Sequence, residues 1–345
     1  MLALVKTAKG VGNIELRDVP VPKPASNEVL ILVKAAGVCG TDIHVKYDEF
    51  PYWPPVILGH EFSGVIVEVG KDVTDFKVGD RVVGEPHNKA CGKCYLCRTG
   101  NIQICPSKRS IGWGIDGAFT KYLVMPDHLL HIIPDNVSFE EAALVEPTCN
   151  VVHDVLERGR VEPEDFVVVF GPGPIGLLAA MVARAEGARE VVIIGTPKDE
   201  ELRLPVAREL GFTEVLNLAE VNPIERIMEL TNGRGADLVV EASGAEPAIN
   251  QSIEVVRKKG RITVIGMTGK EDIRFTWDKA IFKVCDIHFN LSTSYTSWDR
   301  SLSLMAGGKI NVKPLITHKE SLRNWEKVFD DLENQKGLKG LFIPE

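Results

Sequence analysis

The sequence predicts an α/β protein in two parts: a β-rich part that carries metal ligands, and a doubly wound parallel sheet. Three observations carry this reading. Short strand-like runs punctuated by Gly and Pro fill the first part. Beyond it, apolar runs rich in β-branched residues alternate with helical stretches, which is βαβ order and hence a parallel sheet. Between the first of those runs and its helix stands "GPGPIG", with glycines in the GxGxxG spacing.

With 345 residues, 44% hydrophobic and 26% charged, the chain can bury two cores without covalent staples. Disulfide frameworks belong mainly to small secreted proteins. The opening "MLALVKTAKG" has no long apolar run followed by a small-residue cleavage site, so no signal peptide is expected. No apolar run reaches the roughly 18 to 20 residues that span a bilayer. The expectation is a cytoplasmic protein with reduced thiols and no membrane partner. A net charge of -8 without a basic face argues against a nucleic-acid partner.

In the first part, "CGKCYLCRTGNIQIC" gathers Cys91, Cys94, Cys97 and Cys105. Four thiolates at this spacing suit a tetrahedral zinc. A loop that supplies all four ligands leaves no open position, so such a metal is structural. An iron–sulfur cluster uses the same ligand count and ranks second, since nothing else in the chain points to electron transfer. Upstream, "GVCGTDIH" and "GHEFSGVIVEVG" offer Cys39, His60 and Glu61. One sulfur, one imidazole and one carboxylate with an open fourth position describe a catalytic zinc. Taken singly, they also read as a small core cysteine and a surface His–Glu pair, and spacing alone leaves both readings open. Glu146, in "ALVEPTCN", is an acid in a largely apolar stretch.

The second part opens with Val167 to Phe170 as a buried strand, followed by Gly171, Gly173 and Gly176. Glycines at this turn let the backbone approach a pyrophosphate, and the helix that Pro174 and Ile175 begin stabilises its charge. The runs "REVVIIG", "TEVLNL", "ADLVVEASG", "GRITVIGM" and "CDIHFNLS" continue the alternation. The second strand ends at Gly195, where NAD-binding domains usually place an acid for the adenosine ribose. Thr196 suits a ribose or a phosphate, and Lys198 suits a 2′-phosphate. Asp199, Glu200 and Glu201 repel that phosphate, fold back to the ribose, or form a solvated helix start. The expectation is use of both NAD and NADP.

"CGTDIH", "GHEFSGVIVEVG" and the four-cysteine loop, in this order, resemble the zinc-containing medium-chain dehydrogenase/reductase family, over nearly the whole chain. The resemblance implies a GroES-like catalytic domain of residues 1–149 and 290–345 and a Rossmann domain of 150–289, with the active site in the cleft between them. It implies two zinc ions per chain. The catalytic ion falls on Cys39, His60 and Glu61, with Glu146 bound directly or through water, and the structural ion falls on the four cysteines. It assigns Thr41 and His44 to a proton relay and brings Ser243, Gly244, Ile265 and Gly266 to the nicotinamide and its ribose. An acid at 146, with Cys149 three residues on, is closer to the polyol and threonine branches than to the simple alcohol dehydrogenases. The implied activity is oxidation of a polyol to a ketose by a homodimer or homotetramer. L-Threonine 3-dehydrogenase is the rival within the class, and a non-catalytic metal or redox sensor the rival outside it. The arginine that the sorbitol branch uses for substrate is missing from "LSTSYTSWDR", where Arg300 comes only later.

Overall fold

A computed structural model describes residues 1–345 as two compact units. The first comprises Met1–Pro147, Ser294–Leu302 and Ile316–Glu345, and the second Thr148–Thr293 and Ser303–Leu315. Residues 303–315 were expected to return to the catalytic part with the rest of the tail. They join the second unit instead, because Ile310, Val312 and Leu315 are buried and the turn Lys313–Leu315 packs on the helix Arg203–Glu209.

In the first unit the strands run, in chain order, β1 (Leu2–Lys6), β2 (Ile14–Asp18), β3 (Glu28–Gly37), β4 (Val56–Ile57), β5 (Glu61–Val69), β6 (Arg81–Gly84), β7 (Tyr122–Pro126) and β8 (Leu130–Ile132). β1 lies antiparallel between β2 and β4. β3, "EVLILVKAAG", is apolar on both faces because it is central: β5 and β7 both pair with it. Its side chains Val29, Ile31 and Val33 enter a core with Leu4, Phe62, Phe119 and Phe342. Gly37, at the end of β3, pairs with Glu61 at the start of β5.

In the second unit β9 (Phe166–Phe170), β10 (Glu190–Gly195), β11 (Val215–Asn217), β12 (Ala236–Glu241), β13 (Val256–Val264) and β14 (Asp286–Phe289) form one sheet in the order β11-β10-β9-β12-β13-β14. Every neighbouring pair is parallel. "FVVVF" of β9 is buried along its whole length, as a central parallel strand must be. The strand order reverses between β9 and β12, which opens a crevice at their carboxyl ends. The chain then returns to the first unit as β15 (Ile316–Glu320) and β16 (Lys339–Phe342), and β16 pairs with the end of β3.

One turn of the second unit departs from α geometry. Val152–Arg158 is a π-helix, and the N–H of Gly159 reaches back to the carbonyl of Asp154. The wide turn buries the Asp154 side chain, whose Oδ1 has no partner. Burial pushes this carboxyl well above the usual range. A raised folded-state pKa gives a contribution that is intact below the unfolded carboxylate's pKa and lost as pH rises through the folded value. Asp154→Asn is therefore expected to match the parent in acid and to exceed it increasingly as pH rises. The gain reaches about 1–3 kcal/mol, the cost of an unsatisfied buried polar group. Urea unfolding of both proteins across pH checks this, and a difference that does not change with pH refutes it.

Candidate functional site

The first cluster forms where β3 ends and β5 begins. Cys39 follows β3 and opens the helix Gly40–Lys46. The register that sets Gly37 opposite Glu61 brings His60 and Glu61 alongside. Only glycine fits at 37: a Cβ there would lie 2.3 Å from Glu61 Oε2. One donor atom each from Cys39, His60 and Glu61 lie within 4.8 Å of one another. His60 and Glu61 are buried.

The surroundings are strongly anionic. Asp42, also buried, accepts from the N–H of Cys39 at 2.9 Å and stands 3.8 Å from His60 Nδ1. Burial works to lower the His60 pKa, but the Cys39 sulfur, with Asp42 and Glu146 beside it, pushes it up to about 10. Glu146 lies outside the close set and acts on His60 through its charge. Against these acids stands Lys339 of β16. Its Nζ donates to both Glu61 oxygens at 2.5 Å and to the carbonyl of Val38 at 3.0 Å. The edge of Trp113 packs against the His60 ring at 4.7 Å.

These donors fit a zinc ion. The set is S, N and O, the acids Asp42, Glu61 and Glu146 and the Cys39 sulfur outnumber the ammonium groups of Lys339 and, near Glu146, Lys108, and His60 Nδ1 is buried without a hydrogen-bond partner. A cation there offsets charge that the interior otherwise leaves in excess.

The four-cysteine loop is a separate site. Sγ–Sγ distances are 3.9 Å for Cys91–Cys97, 3.5 Å for Cys94–Cys97 and 3.9 Å for Cys94–Cys105. A disulfide needs about 2.05 Å. Sulfurs about 2.3 Å from one tetrahedral zinc stand about 3.8 Å apart. The spacing therefore fits a single ion and is too tight to enclose an iron–sulfur cluster. Backbone N–H groups of Cys91, Cys94 and Cys97 point at the sulfurs. Those of Lys93 and Cys94 draw the Cys91 thiol down to about 6, while burial and the neighbouring sulfurs push Cys97 up to about 12. Four thiolates cannot coexist here without a cation.

In the second unit the glycine turn has the form a dinucleotide requires. Gly171 has φ +96°, Gly173 caps the helix Pro174–Ala185, and Pro174 occupies its first turn. A Cβ on Gly176 would lie 1.8 Å from the carbonyl of Gly171, so the helix can start this close to β9 only with glycine. A Cβ on Gly173 would meet nothing within 4 Å, which leaves open space before the helix N-terminus. The ends of β12 and β13 complete the wall: a Cβ on Gly171 would touch Ser243, and one on Gly244 would meet Met267. Gly171, Ser243, Gly244 and Gly266 thus come together. Thr196 and Lys198 follow β10 and are exposed, and the end of that strand lies against the glycine turn, where a Cβ on Gly195 would come 2.8 Å from Pro172. The three acids there are not one solvated group. Asp199 is buried and accepts from the N–H and hydroxyl of Thr196, both at 2.8 Å, and from Arg203 at 3.2 Å. Glu200 pairs with Arg208 at 2.5 Å, so only Glu201 stays free at the surface.

The relay residues share one helix and are not joined. Thr41 Oγ1 lies 3.7 Å from Cys39 Sγ. His44 is exposed and bonded to Glu49 at 2.9 Å, with no hydrogen bond to Thr41. Three site residues escaped the sequence reading. Asp42 carries a signal, an acid three residues after Cys39 where the helix begins. Lys339 and Trp113 carry none, since each reaches the cluster only through folding.

Fold and donor sets together define a zinc- and nicotinamide-dependent oxidoreductase. Comparison with known proteins agrees. Residues 25–135 match the alcohol dehydrogenase GroES-like domain and residues 174–307 the zinc-binding dehydrogenase domain. The chain is 40% identical over 344 residues to sorbitol dehydrogenase of Halalkalibacterium halodurans, covering 100% of this chain and 99% of that one. It is 37% identical over 339 residues to L-threonine 3-dehydrogenase of Escherichia coli K12, covering 97% of each. A zinc-binding dehydrogenase of Sinorhizobium meliloti 1021, solved with NADP bound, superposes with a TM-score of 0.92 at 30% identity over 99% of each chain. The chain belongs to the zinc-containing medium-chain dehydrogenase family, and its activity is that of a zinc alcohol dehydrogenase using NAD or NADP.

The two clusters are expected to respond differently to mutation. Cys97→Ser should lower Tm and reduce bound zinc from two ions to one, because metal affinity at a closed site is folding free energy. His60→Ala should keep Tm nearly unchanged and lose turnover by about a thousandfold or more, matching the several kcal/mol a Lewis acid supplies. Metal analysis, thermal melts and initial rates check both, and full activity in His60→Ala refutes the assignment.

Proposed function

We propose that this dehydrogenase oxidises a secondary alcohol of a polyol to a ketose, reversibly. The observation that carries the reading is the donor set: Cys39, His60 and Glu61 side by side, with Glu146 as a further acid in charge contact. The match to a sorbitol dehydrogenase supports it.

Cys39, His60 and Glu61 would hold zinc, which supplies the Lewis acid that makes the alcohol proton labile, while the nicotinamide is the hydride acceptor. The protein's own share is positioning and proton transfer. Lys339 fixes the Glu61 carboxylate, and Asp42 stands beside the His60 ring. Trp113 excludes water from one side of that ring. Thr41, beside the Cys39 sulfur, takes the proton through its hydroxyl, and His44 with Glu49 delivers it to solvent; since the two are not hydrogen-bonded to each other, a water or ligand hydroxyl has to link them. On the cofactor side, Gly195 leaves the second strand without an acid. Asp199 is engaged with Thr196 and Arg203, so neither NAD nor NADP is strongly refused.

A substrate panel tests the reading. Sorbitol, xylitol and threitol should be oxidised with kcat/KM at least about tenfold above ethanol and L-threonine, a difference of about 1.4 kcal/mol in transition-state binding. L-Threonine as the best substrate would replace this reading with its rival, and no turnover on any alcohol by zinc-loaded protein would favour a non-catalytic sensor.

The reading includes a homo-oligomer. β14 is the outer edge of its sheet, and Phe282, Phe289 and Leu291 around it are all more than 70% exposed. An apolar edge strand left open invites pairing, and a second copy about a two-fold axis satisfies it. Light scattering should find a dimer or tetramer at micromolar concentration, and Phe289→Glu should shift it towards monomer. A monomeric parent refutes this.

A further inference from the structure

Glu241 closes β12 two residues before Ser243 of the Ser243–Gly244 turn, and its carboxylate is buried. It has no lysine or arginine partner. Its charge is met by one side of a loop: Oε1 accepts from the N–H of Ser243 at 3.0 Å, the hydroxyl of Ser243 at 2.5 Å and the N–H of Gly244 at 3.1 Å. Oε2 also faces the Gly244 N–H, at 3.2 Å. The main-chain carbonyl of the same residue accepts from Ile265 at 2.8 Å and Gly266 at 3.0 Å. One residue therefore engages both strand-end loops of the crevice. Its strand neighbours are Phe170 on one side, the last residue before the glycine turn, and Val264 on the other.

The fit leaves no slack. A Cβ on Gly266 would lie 2.7 Å from Glu241 Oε2 and 2.2 Å from the Gly244 nitrogen. Gly244 has φ +66°, a left-handed conformation open to glycine and strained for other residues, so the turn depends on this residue. Hydrogen bonds from N–H and O–H groups to a carboxylate are about twice as strong as neutral ones, and burial strengthens them further. They also use up the Ser243 and Gly244 N–H groups, so these donors turn inward and away from a bound ligand.

We infer that Glu241 is a positioning residue for the cofactor: its carboxylate locks the Ser243–Gly244 loop, packed against Gly266, while its main-chain carbonyl holds Ile265 and Gly266, so that one wall is set before NAD(P)H arrives. The inference rests on the family's cofactor and is independent of which alcohol is oxidised. Preorganisation of this kind lowers the ordering cost of binding. A glutamine could set its one oxygen at the Oε1 position, but it lacks the charge, and its amide nitrogen would then stand donor to donor against the Gly244 N–H that faces Oε2 at 3.2 Å.

The test uses full-length, zinc-loaded protein. NADH affinity is measured by fluorescence titration without substrate, and hydrogen exchange is followed in residues 242–246 and 265–268 of the cofactor-free protein. Glu241→Gln should weaken NADH binding by about tenfold or more and speed exchange in residues 242–246, with a smaller effect in 265–268, whose bonds to the main chain of residue 241 remain. Zinc content should be unchanged, and the cofactor KM should rise more than kcat falls. Glu241→Asp, whose shorter arm keeps the charge but cannot span all the donors, should fall between, and it carries the same test if the glutamine variant does not fold. A lowered Tm with NADH affinity within twofold of the parent overturns the inference, as does unchanged exchange in residues 242–246.

Discussion

The ammonium of Lys339 on the carboxylate of Glu61 holds the first unit in its working form. Both groups are buried, and burial works against the charge on Lys339, which Glu61 and then Cys39 restore. Breaking such a pair strands a charge in the interior, at a cost of about 3–5 kcal/mol. The contact joins residues 278 positions apart and closes the sheet, since the same ammonium also holds the carbonyl of Val38. β16 is thereby pinned beside the end of β3, where Cys39 begins its helix. The C-terminal strand is thus part of the metal site.

The same pair explains the electrostatic shape of the cluster. Cys39, Asp42, Glu61 and Glu146 place four acidic or thiol groups around the His60 imidazole and the Lys339 ammonium, with the Lys108 ammonium near Glu146. A site of this composition is poised for a divalent cation, and the four-cysteine loop reaches the same condition with sulfur alone. The two differ in access. Four sulfurs around one ion would close it off, whereas three donors at the first cluster would leave a fourth position open. Stability and chemistry are thereby separated between two sites.

In the second unit the governing constraint is backbone proximity. Gly171, Gly176, Gly244 and Gly266 each occupy a place where a Cβ would come within about 3 Å of a neighbouring loop or strand end. Closeness of this degree lets three loops converge on one ligand, and it leaves little room for error. A buried acid at the centre of the convergence supplies the fixed acceptors that glycine loops lack.

Local chemistry was legible in the sequence. GxGxxG between a strand and a helix gave the cofactor turn, cysteine spacing gave the closed metal loop, and alternating apolar runs gave the parallel sheet, because each depends on residues near one another in the chain. The triad Cys39, His60 and Glu61 was legible only as a possibility, since the β3–β5 register had to bring 39 beside 60. The acids after Gly195 could not be sorted from sequence: Asp199 turned inward to cap its own turn and Glu200 outward to Arg208, a choice made by packing. Lys339, Trp113 and the two-loop reach of Glu241 belong to tertiary structure alone. Charge pairing across 278 residues and contact between the ends of separate strands have no local signature, because they exist only once the sheets are assembled.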